Sequence, residues 1–317
     1  MNETKTKNWY SQTVSLSETS KSAGYNVGLL QKLLFKIARK WVSGNTYKSA
    51  LSTAKDCNRI GISAILNFLG EDATNTTVIE KTVQEYLLLL SQLEINKIIG
   101  CISVKPTQVG LRIGYDKCLY NFRQIARRTK SLDRIMWIDI ESIQFVEDTI
   151  SIYLELLKEY KRSTGVAIQS YLKRSSSDLL HLLEQGANVR LVKGAYREDE
   201  GIAFQSMGKI NSNFSKMMKT LFEYGNTNDG IFAIATHDPK LIDEALLLAK
   251  TSSIDNRKFE FQFLMGINNE LKEDLVKKGF RVSEYIPYGS HWFPYSMRRI
   301  RERKRNILLL ARSLFQS

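Results

Sequence analysis

Eight short apolar, β-branched runs recur along the chain, and each is followed by a longer stretch whose apolar residues fall at i, i+3 and i+4. The runs are GISAILNF from Gly61, IIGCISVK from Ile98, RIMWIDI from Arg134, TGVAIQS from Thr164, NVRLVKG from Asn188, GIFAIATH from Gly230, FEFQFLMG from Phe259 and RVSEYIPY from Arg281. Between them lie stretches such as TVIEKTVQEYLLLLSQLEIN and DTISIYLELLKEYKRS, which have helical periodicity. Strands that are apolar along nearly their whole length suit a parallel sheet covered on both faces. Eight strand–helix units in roughly 250 residues predict an α/β fold, a (β/α)8 TIM-like barrel. An open, doubly wound sheet is the alternative, but no G-x-G-x-x-G follows any of the runs. The barrel takes residues 61–317. Residues 1–60, including LLQKLLFKIARKWV from Leu29, read as an N-terminal helical segment that packs on the barrel or caps it.

With 43% hydrophobic and 25% charged residues among 317, the chain has the composition of a folded globular protein. Its longest apolar runs, such as YLLLL from Tyr86 and NILLLA from Asn306, are too short to span a bilayer. The polar N-terminus, MNETKTKNWYSQTVSLSETSKS, lacks the apolar core and cleavage site of a secretory signal, so a cytoplasmic protein is expected. Cys57, Cys101 and Cys118 are odd in number and show no C-x-x-C spacing, so reduced thiols are expected, with neither a disulfide framework nor a zinc site. The formal charge of +13 fits nucleic acid, an anionic membrane surface or an acidic ligand, and does not choose among them. Much of it is spread over helical stretches such as KEYKR at Lys158 and KEDLVKK at Lys272, which read as solvated surface. Only Arg298 to Arg305 is dense.

Charged side chains inside buried strands need partners or a ligand, and catalytic groups of such barrels gather at the C-terminal ends of the strands. That rule singles out Lys105, Asp139, Gln169, Arg190, Lys193, Thr236, His237, Gln262 and Tyr285. Taken singly, each has a plain structural reading, since a strand-end Asp caps the next helix and His237 in THD could open one. Recurrence over seven successive strands is what points to a bound ligand. After Pro294 a helical pattern sets Tyr295, Arg298 and Glu302 on one face, with Arg299 about 100° round. An exposed Arg298–Glu302 pair would contribute only about 0.3–0.5 kcal/mol. Against that plain reading stand Tyr285, Tyr288, Trp292, Phe293 and Tyr295, expected to wall a pocket where two guanidinium groups hold a carboxylate. The chain lacks H-E-x-x-H, a P-loop and G-x-S-x-G, and of its three histidines His181 reads as an ordinary helix residue. Polar strand ends without an obvious nucleophile fit a cofactor that brings its own reactivity.

RLVKGAY from Arg190, ATH from Ala235, FEFQFLMG from Phe259 and YIPYG with W-x-P-Y-x-x-R-R-x-x-E from Tyr285 resemble proline dehydrogenases in order and spacing, from about Gly61 through Asn306. The resemblance implies a distorted barrel that binds FAD non-covalently, with its last helix over the barrel mouth. It implies oxidation of L-proline to Δ1-pyrroline-5-carboxylate by hydride transfer to flavin N5, with a quinone-type electron acceptor. Arg298 and Arg299 would grip the proline carboxylate with help from Lys105. Tyr285, Tyr295 and Leu264 would pack around the ring, and Ala195 and Tyr196 would complete the wall. Arg190 would sit at the N5 edge, with Asp139 orienting the polar network around Lys105 and Arg190. Ile140, Gln169, Lys193, Gly194, Ala195, Thr236, His237 and Gln262 map to flavin contacts, Lys193 toward the pyrophosphate, and Glu302 to a polar contact near the cofactor. Glu71, in LNFLGE, would pair with Arg298 as a gate. A peripheral membrane contact through the basic residues follows from the quinone acceptor, and no nucleic-acid partner is assigned. YREDEGIAFQSM departs from the family pattern and leaves the adenine-end contacts unassigned, and ERKRN is more basic than the family. Competing readings are hydroxyproline or another cyclic imino acid as substrate, or a non-catalytic binder of nucleic acid or anionic membrane.

Overall fold

The computed structural model describes residues 38–225 and 230–302. Eight parallel strands close into a barrel in sequence order: β1 Ser63–Phe68, β2 Gly100–Val104, β3 Met136–Ile138, β4 Thr164–Gln169, β5 Val189–Val192, β6 Phe232–Ala235, β7 Phe259–Leu264 and β8 Val282–Tyr288. The helices are α1 Tyr47–Arg59, α2 Thr76–Ile95, α3 Tyr115–Ser131, α4 Val146–Tyr160, α5 Ser175–Glu184, α6 Met207–Gly225, α7 Pro239–Thr251, α8 Asn269–Lys277 and α9 Trp292–Glu302. Local chemistry sets their starts. Asn75 caps α2 by accepting from the amides of Thr77 and Val78, and Asp238 caps α7, where Pro239 supplies a preset first turn. α2 then buries Ile79, Val83, Tyr86, Leu90 and Leu93 along one stripe against the sheet.

Closure rests on β1 and β8, which pair over six residues from Ser63 opposite Ser283 to Phe68 opposite Tyr288. Inside the barrel, Ile65, Cys101, Trp137 and Ala233 pack as a separate apolar plug. The Trp137 ring takes the space beside Gly165, where an added Cβ would lie 2.5 Å from it. Above the plug the inward residues of β4 and β6 are the small Ala167 and Ala235, which leave room for a cavity.

The segment ahead of α1 runs along the C-terminal ends of the last strands. Ser43 donates its amide to the Pro287 carbonyl at 2.9 Å, and an added Cβ at Gly266 (φ +71°) would strike the Lys40 carbonyl oxygen at 1.9 Å. Trp41 and Val42 bury against Leu69, Ile267 and Tyr295, with Trp292 and Met297 of α9 packed on the same cluster. α9 therefore lies across the barrel mouth instead of flanking the sheet. The stretch from Leu29 to Ile37 and the basic residues after Glu302 lie outside the described residues. Among the described residues no helix is long and apolar enough to cross a membrane.

Two expectations need correction. Lys272, read in KEDLVKK as solvated charge, is buried and forms an ion pair with Glu284, because the outward face of β8 carries a carboxylate beneath α8. Tyr288 does not wall the inner pocket. It stands three residues after Tyr285 on one strand, so it points the other way and donates its hydroxyl to Glu85 of α2 at 2.8 Å.

Candidate active site

A cavity of about 560 Å³ opens at the carboxyl ends of the strands. Its floor is built around Arg190, whose inward direction on β5 follows from strand alternation. The guanidinium is 3% exposed and fixed on two edges: Nε donates to Gln262 Oε1 at 2.6 Å, while Nη1 donates to Asp139 Oδ1 at 2.8 Å and Ser103 Oγ at 2.9 Å. It lies over the Trp137 ring at 4.8 Å and near the Tyr285 ring at 5.8 Å. Among the described residues, Nη2 alone finds no hydrogen-bond partner.

Asp139 gathers three donors, since Ser103 Oγ also reaches Oδ1 at 2.6 Å and the Tyr285 hydroxyl reaches Oδ2 at 2.7 Å. Burial, and then the Asp139 charge, push the Tyr285 hydroxyl well above its ordinary value of 10.0, so it stays a neutral donor. Lys105 donates to Glu71 at 2.8 Å, so this lysine pairs with the expected gate residue, and Asp139 organises Arg190. The other half of the gate, Arg298, has its side chain outside the described residues, as does Glu302.

Higher on the wall, Gln169 donates Nε2 to the carbonyls of Ile140 (3.4 Å) and Glu141 (3.3 Å), and its buried Oε1 has no partner among the described residues. Lys193 pairs with Asp238 at 2.9 Å. Burial would raise the Asp238 carboxyl, but the Lys193 charge and hydrogen bond outweigh it and hold the group below its ordinary value. Gly194 takes φ +106° with the Tyr171 ring so close that an added Cβ would lie 2.2 Å from it, and this sharp turn puts Ala195 and Tyr196 on the cavity wall. Ile140, Thr236, His237 and Leu264 also line it, His237 tilted against Phe263 with ring centroids 5.6 Å apart. From α9 come Tyr295 and Arg299, whose guanidinium lies 5.3 Å from the Tyr295 ring.

Expected site residues thus converge from strands far apart in sequence. Arg190, Gln262 and Tyr285 sit within their strands instead of at the ends, so the site has a buried floor as well as a rim. Of the five aromatics expected around it, Tyr285 and Tyr295 line the cavity; Trp292 packs in the lid and Phe293 is exposed. Arg299 and Tyr295, four residues before it, both line the cavity from α9. Sequence reading missed Asn67 and Ser103, although each is a polar residue inside an apolar strand and so carried the signal used for the others. It also missed Ala167, Val192, Met207 and Ala235, whose contribution is space and shape.

A closed β/α barrel with a ligand-sized cavity at the carboxyl ends of its strands, floored by an organised buried cation, defines an enzyme that acts on a small molecule. The sequence model of the family described as proline dehydrogenase matches residues 50–309. Proline dehydrogenase 1 of Bacillus subtilis is 32% identical over 306 residues, covering 96% of this chain and 97% of the relative. Proline dehydrogenase of Deinococcus radiodurans is 29% identical over 292 residues, covering 91% and 93%. Among solved structures, proline utilization A from Bdellovibrio bacteriovorus, inactivated by N-propargylglycine, superposes with a TM-score of 0.79 at 22% identity. There the match covers 86% of this chain and 33% of the solved one, so this chain spans about a third of that protein's length. The chain belongs to the proline dehydrogenase family. It is an oxidoreductase acting on proline, in proline catabolism.

Proposed function

We propose that this chain oxidises L-proline to Δ1-pyrroline-5-carboxylate with non-covalently bound FAD and passes the electrons to a quinone-type acceptor. The observation that carries the reading is Arg190, a buried guanidinium held on two edges with one donor, Nη2, left over. The buried, unpartnered Oε1 of Gln169 adds an acceptor on a cavity-lining residue. A donor on Arg190 and an acceptor on Gln169 that find no partner among the described residues, both on residues that line the 560 Å³ cavity, fit the polar edge of a flavin ring. Arg190, Gln169 and Gln262 would hold the ring system. Ile140, the Lys193 to Ala195 turn, Thr236 and His237 would hold the remainder, and Lys193 would face the pyrophosphate. FAD, when bound, supplies the two-electron acceptor for the hydride that leaves the carbon beside the ring nitrogen of proline.

The chain's own contribution is position and charge. Tyr285, Tyr295 and Leu264 with Ala195 and Tyr196 line the cavity together, and they would pack around an unsubstituted pyrrolidine. Arg299 and Lys105 would bind its carboxylate, and Glu71 fixes the Lys105 ammonium while leaving hydrogens on it to donate. Three cations near one amine favour its neutral form, the form from which hydride can leave. The fixed charge of Arg190 would stabilise negative charge arriving on the cofactor.

The first test is the visible spectrum of the purified protein, repeated without oxygen after adding L-proline. A flavin spectrum that bleaches supports the reading, and irreversible bleaching by N-propargylglycine would add to it. A flavin spectrum that responds to hydroxyproline and not to proline overturns the substrate; no flavin, with none taken up from added FAD, overturns the cofactor. The domain division at residue 61, a cytoplasmic location and a peripheral membrane contact belong to the same proposal. Absence of binding to anionic vesicles in low salt would remove the membrane contact.

A further inference from the structure

Beneath the cavity floor the barrel interior holds a second carboxylate that the reaction does not touch. Glu260 lies on β7 two residues before Gln262, so both side chains point inward, Glu260 one layer lower. It is 7% exposed. One carboxylate oxygen accepts from Gln262 Nε2, and the other accepts from Ser283 Oγ at 2.9 Å, with Arg281 Nη2 3.7 Å away at the base of the barrel. At its opposite end the Gln262 amide accepts from Arg190 Nε at 2.6 Å. A polar chain therefore runs through the barrel from Arg281 to Glu260, Gln262, Arg190 and Asp139.

The chain has only one sense. An ionised carboxylate accepts and cannot donate, so the Gln262 NH₂ must face Glu260 and its carbonyl must face Arg190. With the amide turned over, oxygen would meet carboxylate and NH₂ would meet the guanidinium, two repulsive contacts in a buried site. Arg190 then finds an acceptor for Nε on one side and for Nη1 on the other, which leaves Nη2 as the one guanidinium nitrogen with no acceptor among the described residues, on a side chain that lines the cavity. We infer that Glu260 is a positioning residue: its carboxylate sets the orientation of the Gln262 amide and, through it, the direction in which Arg190 presents Nη2 to the bound cofactor. The inference rests on the flavin reading proposed above.

Glu260→Gln replaces the carboxylate with an amide that can either donate or accept, so both orientations of Gln262 become satisfiable and Arg190 loses its unique setting. The test compares the flavin-loaded full chain with Glu260→Gln, Gln262→Ala and the double variant, by midpoint potential of the bound flavin, kcat with proline and melting temperature. Glu260→Gln should lower kcat between about tenfold and about a hundredfold, the cost of a small misplacement made away from the chemistry. It should also make the midpoint potential more negative while the melting temperature moves little. The double variant should be no worse than Gln262→Ala alone, because the effect of Glu260 passes through Gln262. Effects that multiply, or a lowered melting temperature with potential and kcat unmoved, overturn the inference and leave Glu260 a structural charge. A wild-type chain that holds no flavin overturns the functional reading and this inference together, whereas a loaded wild type with an unshifted Glu260→Gln overturns the inference alone. If Glu260→Gln does not fold, Glu260→Asp, which withdraws the carboxylate by one methylene, must shift the potential in the same direction, and no shift there overturns the inference as well.

Discussion

Arg190 does its work through planarity as much as through charge, because its fork meets Gln262 on one edge and Asp139 with Ser103 on another. Arg190→Lys keeps the charge and loses the fork. The expected result is a fall in kcat of about a hundredfold or more with modest change in melting temperature, read by steady-state kinetics beside a thermal melt. Glu141 makes a different prediction. It is 3% exposed and accepts from the amide and hydroxyl of Thr107, yet burial raises its carboxyl above the ordinary 4.5 despite the lowering effect of Lys105. The folded chain therefore holds this proton more tightly than the unfolded chain. Its contribution to stability is complete below about pH 4.5 and is lost as pH rises through the raised value. Melting temperatures measured across that window should show a downward slope that Glu141→Gln removes. At this scale the site was legible wherever a charge interrupted an apolar run, as at Asp139 and Arg190. The partners were not: Gln262 lies 72 residues from Arg190 in sequence, and no local pattern joins them.

Between elements, the least expected contact is the buried pair of Lys272 on α8 and Glu284 on β8, with side chains 3% and 8% exposed. Removing one member of such a pair strands the other charge in the interior. Lys272→Met should cost about 3–5 kcal/mol in urea unfolding, and Lys272→Met with Glu284→Leu should recover most of it. Nothing in KEDLVKK could show this, since burial of a lysine is decided by the strand beneath it. The docking of α9 carries the prediction for substrate entry. Tyr295 is 7% exposed, packs on Trp41 and Val42 and lines the cavity. Tyr295→Ala should raise the KM for proline roughly tenfold or more while the barrel melts near its normal temperature, checked by kinetics and circular dichroism. The helix itself was legible from its own periodicity. Its position over the mouth came from resemblance, because three of the apolar partners that hold it there, Trp41, Val42 and Leu69, sit more than two hundred residues earlier in the chain.

For the whole molecule, periodicity disclosed eight strands but could not disclose closure, which depends on a register between the first strand and the last. Burial, inside the barrel for Cys101 and under the helices for Cys57 and Cys118, decides the fate of the thiols. Burial pushes Cys57 and Cys101 up to about 12 and Cys118 further still, so at pH 8 none is a thiolate. An aromatic disulfide reagent should label no thiol of the native protein within minutes and all three in urea. Finally, Trp41 and Val42 come from one end of the barrel's chain and Tyr295 from the other, and they meet over the mouth. Because a ribosome makes all eight strands before α9, the growing chain carries its barrel before the helix that covers it. The order of synthesis thus makes the cover the last part of the described fold to be added, and a message truncated just after Tyr288 would yield the strands of the barrel without its lid.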